Sequence, residues 1–262
     1  MDKLKLVFIL VALFLLQATV VSALSADEAK AQWSDAKTVS LEKQATYNDA
    51  RIAYAANKSS ANDALVVSTG KDVLNAALDE ADAWLVWKDL EAKENPDLPQ
   101  NLKDAISTDV STNREKVVLL RSDVAGVQNQ LGLGLVYLKM LGKYGELLTD
   151  VARDNGKVFV FIGNTQLDKA DGYEAKMRSA AETMPNNSEI IAKLDAAKAD
   201  LAEARSNVGK AEASYNQVVL PGTPMIKFAE GNDYMRVART NLLSAQSNLY
   251  QAYTLMLSNT GG

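Results

Sequence analysis

From Ile190 onward, apolar side chains fall at Ile190, Leu194, Ala197, Leu201, Ala204, Val208, Ala211, Tyr215 and Val218, in alternating steps of four and three without exception. A second run, Met235, Ala238, Leu242, Ala245, Leu249, Ala252 and Met256, keeps the same rhythm. Such spacing lays one apolar stripe along each of two α-helices and leaves the other faces polar. Between them "LPGTP" interrupts the pattern, with Thr223 placed to cap a helix and Pro224 to occupy its first position. A turn near Pro221 and Gly222 sets Leu194 near Leu249, Ala197 near Ala245, Leu201 near Leu242 and Ala204 near Ala238. Alanine layers allow close approach and leucine layers bury area, so the two axes should lie near the low end of about 8 to 10 Å. This antiparallel pairing explains why "ARSNVGKAEASYNQ" at Ala204 is nearly repeated as "ARTNLLSAQSNLYQ" at Ala238, 34 residues later. That interval is also the tetratricopeptide period, but each phrase lies within one uninterrupted heptad helix and only two copies occur.

The rest of the chain carries weaker stripes. Ala29, Trp33, Ala36, Tyr47, Ala50 and Tyr54 predict a first helix over 26–56, interrupted on its apolar face by Ser40 and Lys43. "ANKSSAND" should close it, with Asn57 in the left-handed position and Ser60 with Asp63 as a capping box for a second helix ending near Glu94, before "NPDLP". Beyond Pro99, Ile106, Val110, Val117, Leu120, Val124, Val127, Leu131, Leu138, Leu141 and Leu148 hold one phase, which predicts a single helix from Pro99 to Arg153. "RDNGK" at 153–157 reads as its stop signal. "VFVFIG" from Val158 has strand character, yet no partner strand is in view, so the stripe Phe159, Ile162, Ala170, Tyr173, Met177, Ala180 and Met184 is read as a helix over 157–184. The fold class is therefore all-α, an elongated bundle of five or six helices with antiparallel coiled-coil hairpins. Its parts are a hairpin at 24–96, the long helix and its successor at 97–184, and the hairpin at 185–262.

The N-terminus differs from all of this. Lys3 and Lys5, an apolar run from Leu6 to Leu16 and small residues ending at Val21-Ser22-Ala23 follow the order of a secretory signal peptide, cleaved after Ala23. The uncharged stretch from Leu6 to Ala26 also has the length of an uncleaved anchor. Both readings export the remainder, so a secreted or cell-surface location is expected, with membrane contact only through residues 1–23 if they are kept. Removing them takes away Asp2, Lys3 and Lys5 and shifts the net charge from −5 to −6.

Composition narrows the chemistry. Acidic and basic residues are interspersed, without the basic stripe that binding to nucleic acid needs. The chain has no cysteine and no histidine, which removes disulfides, thiolate nucleophiles, imidazole bases and sulfur- or imidazole-ligated metals. "DKADGYE" has Lys169 and Leu167 where a calcium loop requires carboxylates, and the glycines form no phosphate-binding or dinucleotide motif. No catalytic, cofactor-binding or metal-ligating residue is nominated.

Three features remain as candidates. Trp84 and Trp87, within the acidic stretch from Asp79 to Glu94, could anchor a partner, although two tryptophans three apart also make ordinary core. Asp72, Asp79, Glu80 and Asp82 could attract cations or simply form a solvated helix face. Asn57 and Asn186 each begin an N-glycosylation acceptor pattern. "LGLGLVYLKMLGKYGELL" from Leu131 to Leu148 is apolar on most faces yet carries Gly132, Gly134, Gly142 and Gly145, each costing about 1 kcal/mol relative to alanine. Close packing at a bundle centre would explain them; so would a segment that enters a membrane, against which Lys139, Lys143 and Glu146 count. The expected function is a non-enzymatic structural or interaction protein that binds a protein partner or itself through helical surfaces. The alternatives are a binding module for an apolar ligand, marked by a cavity beside Gly132 to Gly145, and a membrane-active helical protein.

Overall fold

A computed structural model describes residues 24–260. The leader read at 1–23 lies outside them. Six helices follow in order: α1 (Ala26–Ala56), α2 (Ser60–Glu94), α3 (Gln100–Ala125), α4 (Gln130–Ala181), α5 (Ser188–Tyr215) and α6 (Pro224–Thr260). The protein is an all-helical bundle, and Val158–Gly163 is part of a helix.

The helix ends explain themselves locally. Ser25 caps α1 in a capping box: its hydroxyl accepts from the Glu28 N–H, while the Glu28 carboxylate accepts from the Ser25 N–H at 2.8 Å. The α1–α2 connection departs from expectation in two ways. Asn57 is extended, with φ −145°, and the cap of α2 is Ser59, whose hydroxyl accepts from the Asn62 N–H. Asn62 in turn donates its side-chain amide to the Asn57 and Ala53 carbonyls, satisfying the end of α1 without a left-handed residue.

The single helix expected from Pro99 to Arg153 is two helices. The chain reverses at 126–129, where Asn129 caps α4 by accepting from the Gly132 N–H at 2.8 Å. Reversal lets Val124, Val127 and Leu133 bury together with Leu74, Leu78 and Leu85 of α2, which a straight helix could not do. The expected stop at "RDNGK" is absent, and α4 runs unbroken through it for 52 residues, roughly 78 Å at 1.5 Å per residue. Gly156 is there for contact and not for a turn: a Cβ would collide with the ring of Tyr215.

α4 joins two packed units. Its first half closes one apolar cluster with α2 and α3, against which Tyr47 of α1 also packs, and α1 lies along α2. Its second half packs on α5 and α6, which touch each other and α4 but none of the first three helices. In that hairpin Ile190, Leu194, Ala197, Leu201, Ala204, Val208, Ala211 and Tyr215 are all buried, as are Ala238, Ala245, Leu249 and Ala252 opposite. Polar ties fix the antiparallel register along its length: Tyr215 to Asn232, Asp200 to Ser244 and Asn248, and Asn259 to the Pro185 carbonyl. Pro224 is the first residue of α6, and the Thr223 carbonyl accepts from the Lys227 N–H.

Candidate functional site

The two tryptophans on α2 are both half-buried and both engaged within the chain. Trp84 packs against the first apolar cluster. Trp87 stacks on Trp33 of α1, with ring centroids 5.0 Å apart and planes inclined by 22°. The Lys88 ammonium lies 4.0 Å from the Trp87 centroid, and Lys30 approaches the same ring. Trp33 and Trp87 thus join α1 to α2 near the end where the Ala26 N–H donates to Glu94. Asn57 and Asn186 are exposed at helix connections, Asn186 with φ 53°, so both side chains are open to solvent.

The acidic face of α2 is matched by arginines on α3. Arg114 grips Asp82 with two hydrogen bonds, at 2.7 and 3.2 Å, and Arg121 pairs with Asp79. Among the described residues no three acidic side chains converge as a metal site would require. The most enclosed polar group of this half is a network between α3 and α4. Buried Asn113 donates to Asp150 at 3.0 Å and accepts from Lys116, while Arg153 joins Asp109 to Asp150 at 2.7 and 3.0 Å. Beside it, burial pushes the Asp154 carboxyl up to about 6 despite the Lys157 ammonium 3.0 Å away and the nearby Arg153. The polar members satisfy one another, an arrangement that fixes helix register.

An apolar cavity of about 250 Å³ opens among α1 to α4. Leu74, Leu78, Val117, Leu120, Met140 and Leu147 form its floor, Tyr137 and Tyr144 stand beside it, and Ser40 and Gln44 of α1 face it from above. Ser40 is one of the positions at which the apolar stripe of α1 is broken, and a short polar side chain there cannot fill the space that a leucine would. Burial against this wall pushes the Tyr144 phenol above its ordinary value. Lys116 and Lys143 reach its edge, both paired with Glu146.

Next to the cavity, the first half of α4 presents an apolar face that no described residue covers. Leu131 is 74% exposed and Leu138 64%, and Leu135, Leu141 and Leu148 are exposed with them. Gly134, Gly142 and Gly145 lie on this side, where a Cβ would meet no atom within 4 Å. The expectation that these glycines serve close packing inside the bundle is therefore overturned: the turn at 126–129 rotates the face that continues the α3 stripe away from the core. In sequence, the clue was that 131–148 is apolar on more faces than one core can cover.

No helix among the described residues is long and apolar enough to cross a membrane. No family model, curated protein or solved structure matches the chain.

Proposed function

We propose that this chain is an exported, non-enzymatic structural or interaction protein of the cell surface or envelope, which works by presenting helical surfaces to a protein partner. The observation that carries the reading is the uncovered apolar face at 131–148. Large contiguous apolar patches are rare on monomeric proteins and mark interaction sites when they occur. Its setting on a 52-residue helix braced at both ends favours a rigid docking platform over a flexible one. The absence of histidine and cysteine leaves few groups for general acid-base or nucleophilic work, in keeping with binding.

Export is tested by the intact mass and N-terminus of the protein recovered from cytoplasmic, membrane and extracellular fractions of its host. A chain beginning at Leu24 outside the cytoplasm, or one keeping Leu6 to Ala23 in the membrane, is the expected result. Full-length protein confined to the cytoplasm would sink the reading.

The cavity favours a second reading, an apolar ligand held between α4 and its neighbours. Its volume suits a short acyl chain or a small aromatic compound, since drug-sized pockets begin near roughly 300 Å³. Native mass spectrometry of the protein as isolated would reveal a bound small molecule, lost when Ala77→Leu, a change at a residue of α2 that lines the cavity, fills the space. Bare protein that also ignores an apolar fluorophore would eliminate this reading.

A further inference from the structure

Leu131, Gly134, Leu138, Leu141, Gly145 and Leu148 follow steps of three, four, three, four and three, so the pattern reads the same from either end. A helix face of that kind is complementary to itself when reversed. We propose that the uncovered face of α4 is the seat of a second copy of this chain, paired antiparallel about a twofold axis passing between Leu138 and Leu141. The proposal rests on the reading of the chain as an interaction protein and names its partner.

In this register Leu131 meets Leu148 of the second copy, Leu138 meets Leu141, and Gly134 meets Gly145. Leucine layers supply the buried area at the centre and ends, and the glycine layers between them let two helix backbones approach closely. Alternation of the two heptad positions across each layer is the geometry of an antiparallel coiled coil. A twofold interface must be self-complementary, and here the sequence satisfies that condition at every layer.

Two further observations fit a second copy. Leu131, Leu135, Leu138, Leu141 and Leu148 are each between 40% and 74% exposed. At roughly 200 Å² for a whole residue of this size they present on the order of 600 Å², the low end of what one partner contributes to a specific, stable interface. The face also continues an interface that already exists. Beyond it, Ala152 and Gly156 on the same side of α4 are covered by the Tyr215 end of α5. Buried Thr149, just past Leu148, would lie opposite Gln130, where α4 of the second copy begins. The second helix thus occupies the open length of the face and ends where the hairpin cover starts. Bordering charges are already engaged, Lys139 with Asp123 and Lys143 with Glu146, so pairing traps no lone ion.

The test is sedimentation of the full chain purified from its host, over a concentration series, alongside helix content and melting of the dilute protein. The parent should dimerise. Leu138→Glu and Leu141→Lys should each weaken the dimer about 100-fold or more, because every substitution in a twofold interface counts twice. Leu138 is exposed in the single chain, so the dilute melting curve of Leu138→Glu should not move. Leu141 is half exposed and also lines the cavity, so the Leu141→Lys dimer loss is read against that variant's own dilute melting curve. Combining the two substitutions sets the new carboxylate of one copy against the new ammonium of the other and should restore most of the affinity. Gly145→Leu, at a position where a Cβ meets no atom within 4 Å in the single chain, should block pairing, and its dilute melting curve reports whether the fold is kept.

A parent that stays monomeric at every concentration overturns the proposal, and so does a dimer that survives Leu138→Glu. Loss in the single variants without rescue in the double overturns the twofold register. A photo-cross-linker at position 138 that captures only a different protein in the host overturns self-pairing but leaves the interaction reading standing. Cytoplasmic confinement, by contrast, would remove the cell-surface reading without touching the dimer.

Discussion

In α5 each apolar stripe position from Ile190 to Tyr215 is buried, whereas in α4 Leu131, Leu138, Leu141 and Leu148 continue an equally regular stripe into solvent. The two regions have the same periodicity and differ in what lies across from it. α5 is followed by a short turn and a helix of matching layers, so the apolar face finds its cover within the chain. α4 is preceded by a turn that rotates its stripe outward, and the cover stops at the level of Thr149 and Ala152. A heptad pattern therefore says which side of a helix avoids water and leaves open which surface relieves it. The glycines draw the same contrast, since Gly156 and Gly231 clasp the Tyr215 ring while Gly134, Gly142 and Gly145 face open space.

The covered region should break most sharply at Tyr215, which is 1% exposed between those two glycines and hydrogen-bonded to Asn232 at 2.7 Å. Burial pushes its phenol up to about 12. Tyr215→Ala leaves a ring-sized hole where α4, α5 and α6 meet, and the expected loss is about 3 to 5 kcal/mol by urea denaturation. A loss below about 1 kcal/mol would mean that the three helices do not depend on this contact. Next comes Ala204→Leu in a fully buried alanine layer, expected to cost about 1 to 3 kcal/mol through overpacking. An unchanged melting temperature would count against the tight hairpin.

Asp154 gives a pH-dependent test at the boundary between the two units. An aspartate titrates near 3.9 in an unfolded chain and Asp154 at about 6 in the folded one, so the folded state holds its proton more tightly. Its charge then penalises the fold fully above pH 6, less as pH falls, and not at all below about pH 4. Asp154→Asn removes that penalty and can still accept from Lys157. The variant should be more stable than the parent by on the order of 1 to 3 kcal/mol at pH 8, the gap closing toward pH 4. A difference that is flat across this range would show that the carboxylate is solvated in the folded protein.

The C-terminal hairpin was legible residue by residue because its code is local: two exceptionless stripes and one proline-glycine turn determine both what is buried and against what. The middle of the chain was not, for two physical reasons. Its helix breaks at Gly126 and Asn129, whose signals are weaker than the Asn155-Gly156 pair that does not break it. A glycine needed for a left-handed turn and a glycine needed for contact with a distant ring look alike in sequence, and only the position of Tyr215 tells them apart. The cavity was half legible, since Ser40 stood out as a gap in the α1 stripe, but the tyrosines facing that gap come from a helix whose direction depends on the missed turn. The open face was the least legible, because exposure depends on the whole topology.

Gly142→Ala probes that face with the smallest expected effect and the opposite sign. A methyl group there touches nothing within 4 Å, so substitution removes the backbone entropy cost of glycine without steric penalty. At concentrations where the chain is monomeric, the urea midpoint should rise by the equivalent of about 1 kcal/mol. Gly156→Ala, the matching change on the covered face, drives a methyl group into the Tyr215 ring and should lower stability instead. Opposite signs from one chemical change at two glycines of one helix would establish that α4 is covered at one end and bare at the other. Destabilisation at both would mean that something within the single chain already occupies the face, leaving no room for a second copy.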